Sequence, residues 1–127
     1  MKKIFAPLIT VLILACQPTK KQENQIQEPL SRYDSIKSEY SNYGRWDIYN
    51  STVKEGYSYE IWQKDSRIIG FILGDSIKID TLLKDGNKYS IQNNKYGEFF
   101  VIDSNKNMKL FDNDGDLSDM GYTATLK

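Results

Sequence analysis

Apolar and polar residues alternate along most of the chain after Gly44, with the period of two that is typical of β-strands. In the segment 57–63 (YSYEIWQ), two tyrosines and an isoleucine share one face. The segment 67–73 (RIIGFIL) is apolar on both faces, which predicts a central strand covered on both sides. The pattern predicts strands over 45–50, 57–63, 67–73, 77–81, 88–92, 98–103, 107–111 and 122–126.

The segments between these strands are short and rich in Asn, Asp and Gly, the residues that tolerate positive φ in hairpin turns. Turn signals recur about every nine to twelve residues, with no gap long enough for a crossover helix. We therefore expect an all-β fold, a small antiparallel meander of seven or eight strands that is barrel-like. A small sandwich is the alternative.

A different spacing precedes the strands. Tyr33, Ile36, Tyr40 and Tyr43 follow one another at intervals that place them on one face of a helix. Ser31 begins a capping pattern that ends at an acidic residue three positions later. We expect a short helix over 31–43 that packs its aromatic stripe on a β-barrel-like domain over 44–127. Binding of a partner by this stripe is the alternative.

The first fifteen residues have the pattern of a secretory signal peptide. Lys2 and Lys3 precede an apolar run from Ile4 to Leu14. As a helix this run is about 16 Å long, against about 30 Å for the hydrocarbon core of a bilayer. It is too short to span a membrane, so we expect residues 1–15 to be removed.

The sequence Ile13-Leu14-Ala15-Cys16 resembles the lipobox of bacterial lipoproteins. The resemblance implies that Cys16 is the mature N-terminus and carries a diacylglyceryl group and an acyl chain such as palmitate. Two or three chains make a stable membrane anchor. Residues 16–30, which are mostly polar, are predicted to be a flexible tether. The expected location is the bacterial outer membrane, on its periplasmic or surface face.

The amino-acid composition argues against two classes of function, nucleic-acid binding and catalysis. The chain has 17 basic and 17 acidic residues, and loss of Lys2 and Lys3 leaves 15 basic residues. This near-neutral balance argues against a nucleic-acid partner. The sequence has no histidine, and its one cysteine is assigned to the anchor. We therefore expect neither catalytic residues nor a cofactor, and predict that the protein is not an enzyme.

The tripeptide Gly44-Arg45-Trp46 resembles the opening of lipocalin-like barrels, in which the tryptophan plugs one end. The resemblance implies a barrel that binds a small apolar ligand. The ligand-binding candidates are Trp46, Tyr57, Tyr59 and Tyr89, with a lining that includes Ile61, Ile69, Phe71 and Ile79. Trp46 as an ordinary core residue, with no ligand cavity, is the alternative.

Acidic residues alternate near the C-terminus at Asp112, Asp114 and Asp116. Carboxylates at this spacing in a glycine-containing loop are candidate calcium ligands. The segment departs from the EF-hand loop, however, because Leu117 and Thr123 replace its glycine and its bidentate glutamate. A solvated Asp-Gly hairpin is the preferred interpretation.

Two functions remain. The preferred one is a non-enzymatic binding module of the bacterial envelope, held on the membrane by the lipid on Cys16, whose partner is a small apolar ligand or an envelope protein. The alternative is a structural lipoprotein that takes part in the assembly of a larger envelope complex through a strand edge or its flat face.

Overall fold

The structure, a computed structural model, describes residues 29–127. Within this range a helix, α1, spans 29–39, and a 3-10 helix lies at Leu117–Met120. The predicted signal peptide over 1–15, the lipidation site Cys16 and the predicted tether up to residue 28 lie outside the described residues. The strands are β1 (Ser41–Asn50), β2 (Glu55–Lys64), β3 (Arg67–Leu73), β4 (Ile77–Asp85), β5 (Lys88–Ile91), β6 (Phe99–Ile102), β7 (Met108–Asp112), β8 (Gly115–Asp116) and β9 (Tyr122–Leu126).

These strands form one antiparallel sheet in the order β8-β7-β6-β5-β4-β3-β2-β1-β9. The last strand returns to pair with the first, so the sheet curls into a half-barrel. The prediction of a barrel-like antiparallel meander preceded by a short helix is confirmed, and the sandwich alternative is wrong because the described strands belong to a single sheet. The additional strand is β8, whose two residues carry no alternation to detect.

The helix begins and ends earlier than predicted. It spans 29–39 instead of 31–43, so Ser31 lies inside it and not at its N-cap. Tyr43 belongs to β1, at a β-bulge where the register with β2 shifts between Asn42 and Gly44. The extra residue of a bulge re-aims a side chain, and Tyr43 packs against the inner core, 6.2 Å from the Trp46 ring. Its helical spacing from Tyr40 is therefore coincidental.

Apolar side chains cover both faces of the sheet. The inner face holds the larger core, with Trp46, Ile48, Tyr59, Ile61, Ile68, Leu82, Tyr89, Phe100, Ile102, Met108 and Leu110. On the outer face, Ile36 of α1 packs with Ile69 and Phe71 of β3, and Tyr33 meets Phe71 edge-on with ring centroids 4.8 Å apart. The prediction that β3 is covered on both sides is thus confirmed.

The predicted facing of Ile69, Phe71 and Ile79 is wrong. We expected these residues to line an internal cavity, but all three belong to the outer cluster beneath α1. Gly70 takes the inner position on β3 instead, because the ring of Tyr59 fills the space where a side chain would lie. The residue paired with Gly70 on β4 is Asp80. In a strand that is apolar on both faces, the sequence has no alternation from which the inner and the outer face could be assigned.

Candidate functional site

A cavity of about 90 Å³ opens on the inner side of the half-barrel. Its polar lining consists of two tyrosines, two acids and one amide: Tyr57, Tyr59, Asp80, Glu98 and Asn94. The apolar lining is Ile72, Ile91, Phe99, Phe100, Leu110, Phe111 and Leu117. A concave apolar site with a few convergent polar groups has the usual composition of a small-molecule site.

The centre of this site is the hydrogen bond from Tyr59 to Asp80. The Tyr59 ring crosses Gly70, and its hydroxyl donates to Oδ2 of Asp80 over 2.9 Å. A β-carbon on residue 70 would lie 2.6 Å from Cζ of Tyr59, which is closer than real contacts allow. Only glycine at position 70 leaves room for the tyrosine to reach the carboxylate of the neighbouring strand.

Burial changes the ionisation of both partners. Tyr59 is 1% exposed, and burial, with the nearby charge of Asp80, raises the pKa of its phenol well above the usual value. Burial also raises the pKa of Asp80, although the hydrogen bond from Tyr59 and the charge of Lys78 act in the opposite direction. Desolvation of a carboxylate disfavours its charged form. Asp80 is therefore an acid on the inner face of the sheet whose ionised form is disfavoured by desolvation.

Tyr57 stands where the cavity meets the surface. Together with Ile72 it lines both the inner cavity and a groove of about 550 Å³. The groove continues along Glu55, Gly56, Gly74, Asp75, Ser76 and Lys78. Burial raises the pKa of Tyr57 to about 12, with smaller contributions from nearby tyrosine and carboxylate groups. The cavity and the groove therefore share two of their lining residues.

Glu98 is held at the cavity by the loop between β5 and β6. Oδ1 of Asn94 accepts hydrogen bonds from the backbone N–H groups of Tyr96 and Glu98, over 2.9 and 3.1 Å. Nδ2 of Asn94 donates to the Glu98 carboxylate over 3.4 Å. Gly97, at φ +64°, packs against the side chain of Asn113. The loop thus has a fixed geometry that presents an acid to the cavity.

Trp46 connects β1 to the turn between β6 and β7. Trp46 is 0% exposed, its ring covers Gly44, and its Nε1 donates to the carbonyl oxygen of Lys106 over 2.8 Å. Nζ of Lys106 in turn donates to the carbonyl oxygen of Tyr43 over 2.7 Å. These bonds connect β1 to the turn between β6 and β7.

The predicted ligand-binding residues therefore divide into two groups. Tyr57 and Tyr59 line the cavity, whereas Trp46 and Tyr89 are buried in the core and do not line it. The predicted lining residue Ile61 is likewise buried in the inner core. Sequence reasoning missed Asp80 because Ile79 beside it was expected to face inward. The run IKIDTLL carries no signal that its acid, and not its isoleucines, faces the inside.

The structure does not bring the candidate calcium ligands together. Asp112 accepts the backbone N–H of Asp114 over 2.8 Å, and Asp116 caps the 3-10 helix by accepting the N–H of Ser118 over 2.9 Å. In residues 29–127, no group of three or more acidic side chains is arranged to hold a metal ion. The local hydrogen bonds fit the hairpin interpretation.

Comparison with models of protein families, with curated proteins and with solved structures finds no match for this chain. Among the helices of the described residues, none is long and apolar enough to cross a membrane.

Proposed function

We propose that this protein is a lipid-anchored, non-enzymatic binding protein of the bacterial envelope, and that it takes a small ligand into the cavity beside Tyr59 and Asp80. The observation that carries the proposal is that Tyr57 and Ile72 line both the inner cavity and the surface groove. A half-buried acid such as Asp80, whose charged form is disfavoured by desolvation, does not by itself stabilise the fold. Such groups are common where a protein binds a ligand.

The size of the two spaces sets the kind of ligand. One water molecule needs about 10–15 Å³ by the same measure, so the inner cavity holds several waters or a small head group. The groove, at about 550 Å³, accommodates the body of a larger molecule. We therefore propose a ligand whose small polar head enters the cavity while its body lies against Tyr57 and Ile72.

Saturation-transfer NMR with a set of small fragments tests this proposal, using the full chain in a non-ionic detergent and detergent alone as the blank. Ile91→Phe fills the cavity lining and should abolish fragment binding. Leu83→Phe is the matched control, since Leu83 is exposed on β4 and does not line the cavity. If Ile91→Phe does not fold, Leu117→Phe replaces it. Equal binding by the filled and control variants would contradict the proposal.

The proposed anchor rests on the leader and on its resemblance to the lipobox. We expect the wild-type chain in the membrane fraction and labelled by an alkyne analogue of palmitate. Cys16→Ala should lose the label and leave the membrane fraction, whereas Thr19→Ala, three residues further on, should behave like the wild type. Membrane association of Cys16→Ala would contradict the lipid anchor.

A role in assembly is the second candidate, and the seam of the half-barrel favours it. The described part of β9 pairs with β1 on one edge and with no strand on the other. A cleft of about 240 Å³ lies between β7 and β9, with Met108, Leu110, Tyr122 and Ala124 in its lining. Unpaired edges are templates for strand addition. Affinity capture of the full chain from envelope extract should then retain one protein reproducibly; retention of none would remove this candidate.

A further inference from the structure

We infer that the ligand of the inner cavity carries a positive charge, and that a primary ammonium group is its head. This inference rests on the proposed function and adds the chemical class of the ligand. Two carboxylates, Asp80 and Glu98, line the cavity. Within the part of the chain that the structure describes, no lysine or arginine lines it.

The arrangement of the two acids favours an external cation. Tyr59 donates one hydrogen bond to Oδ2 of Asp80, and burial makes the remaining negative charge of this carboxylate unfavourable. Glu98 accepts a long hydrogen bond of 3.4 Å from Asn94. A cation in the cavity would be attracted by both carboxylates and would compensate the desolvation of Asp80.

The aromatic walls suit the same ligand. The rings of Tyr59 and Phe100 pack with their centroids 4.8 Å apart, and Tyr57 stands at the mouth of the cavity. Aromatic faces attract ammonium groups, most strongly where water is excluded. A carboxylate head, in contrast, would be repelled by the carboxylates of Asp80 and Glu98. The cavity therefore discriminates against anionic ligands such as fatty acids.

Charge at the mouth is mixed but mainly acidic. Glu55 and Asp75 line the groove, and Lys78 supplies its one lining cation in the described residues. Lys78 lies two residues before Asp80 on β4, and its charge favours ionisation of that acid. It competes with a bound ammonium, so its removal should strengthen the binding of a cation.

Calorimetric titration of the full chain with n-butylammonium, 1-butanol and butanoate tests the inference, because the three probes differ mainly in their heads. We expect n-butylammonium to bind at least tenfold more tightly than 1-butanol, and butanoate not to bind. Asp80→Asn keeps an acceptor for Tyr59 and should reduce this preference to less than twofold. Glu98→Gln should reduce it as well, and Lys78→Gln should increase it.

Asp65→Asn is the control for loss of one negative charge. Asp65 is exposed in the turn between β2 and β3, at a φ of +54° that asparagine also adopts, and it should keep the full preference. If 1-butanol or butanoate binds as tightly as n-butylammonium, the cation inference is wrong while the binding function stands. If none of the three probes binds and the fragment set also fails, the binding function is wrong as well.

Discussion

The ring of Tyr59 lies in the place that a side chain at Gly70 would occupy, with Cζ 2.6 Å from the position of the missing β-carbon. Each residue therefore depends on the other. Glycine weakens a strand interior unless another group fills its space. Here the tyrosine fills it and places its hydroxyl on Asp80, so this pair connects the packing of the core to the chemistry of the cavity.

Gly70→Ala should destabilise the protein by about 1–3 kcal/mol, because the added methyl group overpacks the core against Tyr59. Gly74→Ala is the control, since its β-carbon would lie at an ordinary distance of 3.8 Å from Tyr57. Urea denaturation measures both. The loss should shrink when Tyr59→Leu is present as well, since the two changes then share one contact. Additive losses would contradict the proposed contact.

Asp80→Asn should change how stability depends on pH. Because burial raises the pKa of Asp80 above its usual 3.8, the folded state holds this proton more tightly than the unfolded state. The stability that Asp80 contributes is present below the unfolded value and is lost as pH rises through the folded value. Relative to Asp80→Asn, the wild type should therefore lose stability on going from acidic to neutral pH. Denaturation midpoints at a series of pH values test this, and a constant difference would contradict it.

Asp103→Asn should show the opposite sign. Backbone N–H groups of Asn107 and Asn105 donate to Asp103, over 2.9 Å each, and these bonds lower the pKa of its carboxyl. The stability it contributes is present above the unfolded pKa and is lost as pH falls through the folded pKa. The same pH series should show the wild type losing its advantage over Asp103→Asn in acid. An advantage that grows in acid would be the contrary result.

Trp46→Phe tests the contact between β1 and the turn between β6 and β7. The change removes the hydrogen bond from Nε1 to the Lys106 carbonyl and leaves a buried acceptor and a small void, which should cost about 2–4 kcal/mol. Trp62→Phe is the comparison, because Trp62 also donates through Nε1, over 3.1 Å to Glu60, but is only half-buried. Its loss should be smaller in the same denaturation experiment. Equal losses of stability in the two variants would show that the fuller burial of Trp46 does not add to its contribution.

Tyr33→Phe tests how α1 is held on the outer face. The hydroxyl of Tyr33 donates to Glu60 over 2.7 Å, and Glu60 is only 7% exposed. Loss of this bond should destabilise the protein by about 1–2 kcal/mol and speed amide exchange in α1. Tyr40→Phe, at the residue that follows α1 and packs against the same outer cluster, should change stability less. Equal exchange rates in α1 for the wild type and Tyr33→Phe would contradict this role of Glu60.

Much of the sheet could be predicted from the sequence, because a half-buried strand records its two faces as alternation. The bounds of β3 and β9 agree with those of the predicted strands. The facing of β3 could not be predicted, since both of its sides are apolar. On β4 the alternation is present, but the isoleucines pack in the outer cluster beneath α1 and the polar side faces inward. For this reason the sequence pattern predicted that Asp80 faces solvent.

The cavity depends on contacts between distant parts of the chain. Asp80 and Glu98 meet the same space only because β4 and the loop before β6 fold over one core. Tyr57 and Tyr59 could be identified from their aromatic alternation along β2. The role of Gly70 could not be predicted from the sequence. A glycine is needed there because the ring of Tyr59, eleven positions earlier, occupies the space of a side chain.

The measurement that tests the binding proposal most directly is a methyl NMR titration of the full chain with a fragment that binds. Ile72 lines the cavity, whereas Ile69, three residues earlier on β3, packs beneath α1 on the outer face. We predict that the methyl resonances of Ile72 shift with saturation while those of Ile69 stay constant. Shifts at Ile69 alone, or saturable binding that leaves Ile72 unchanged, would contradict a ligand site on the inner face.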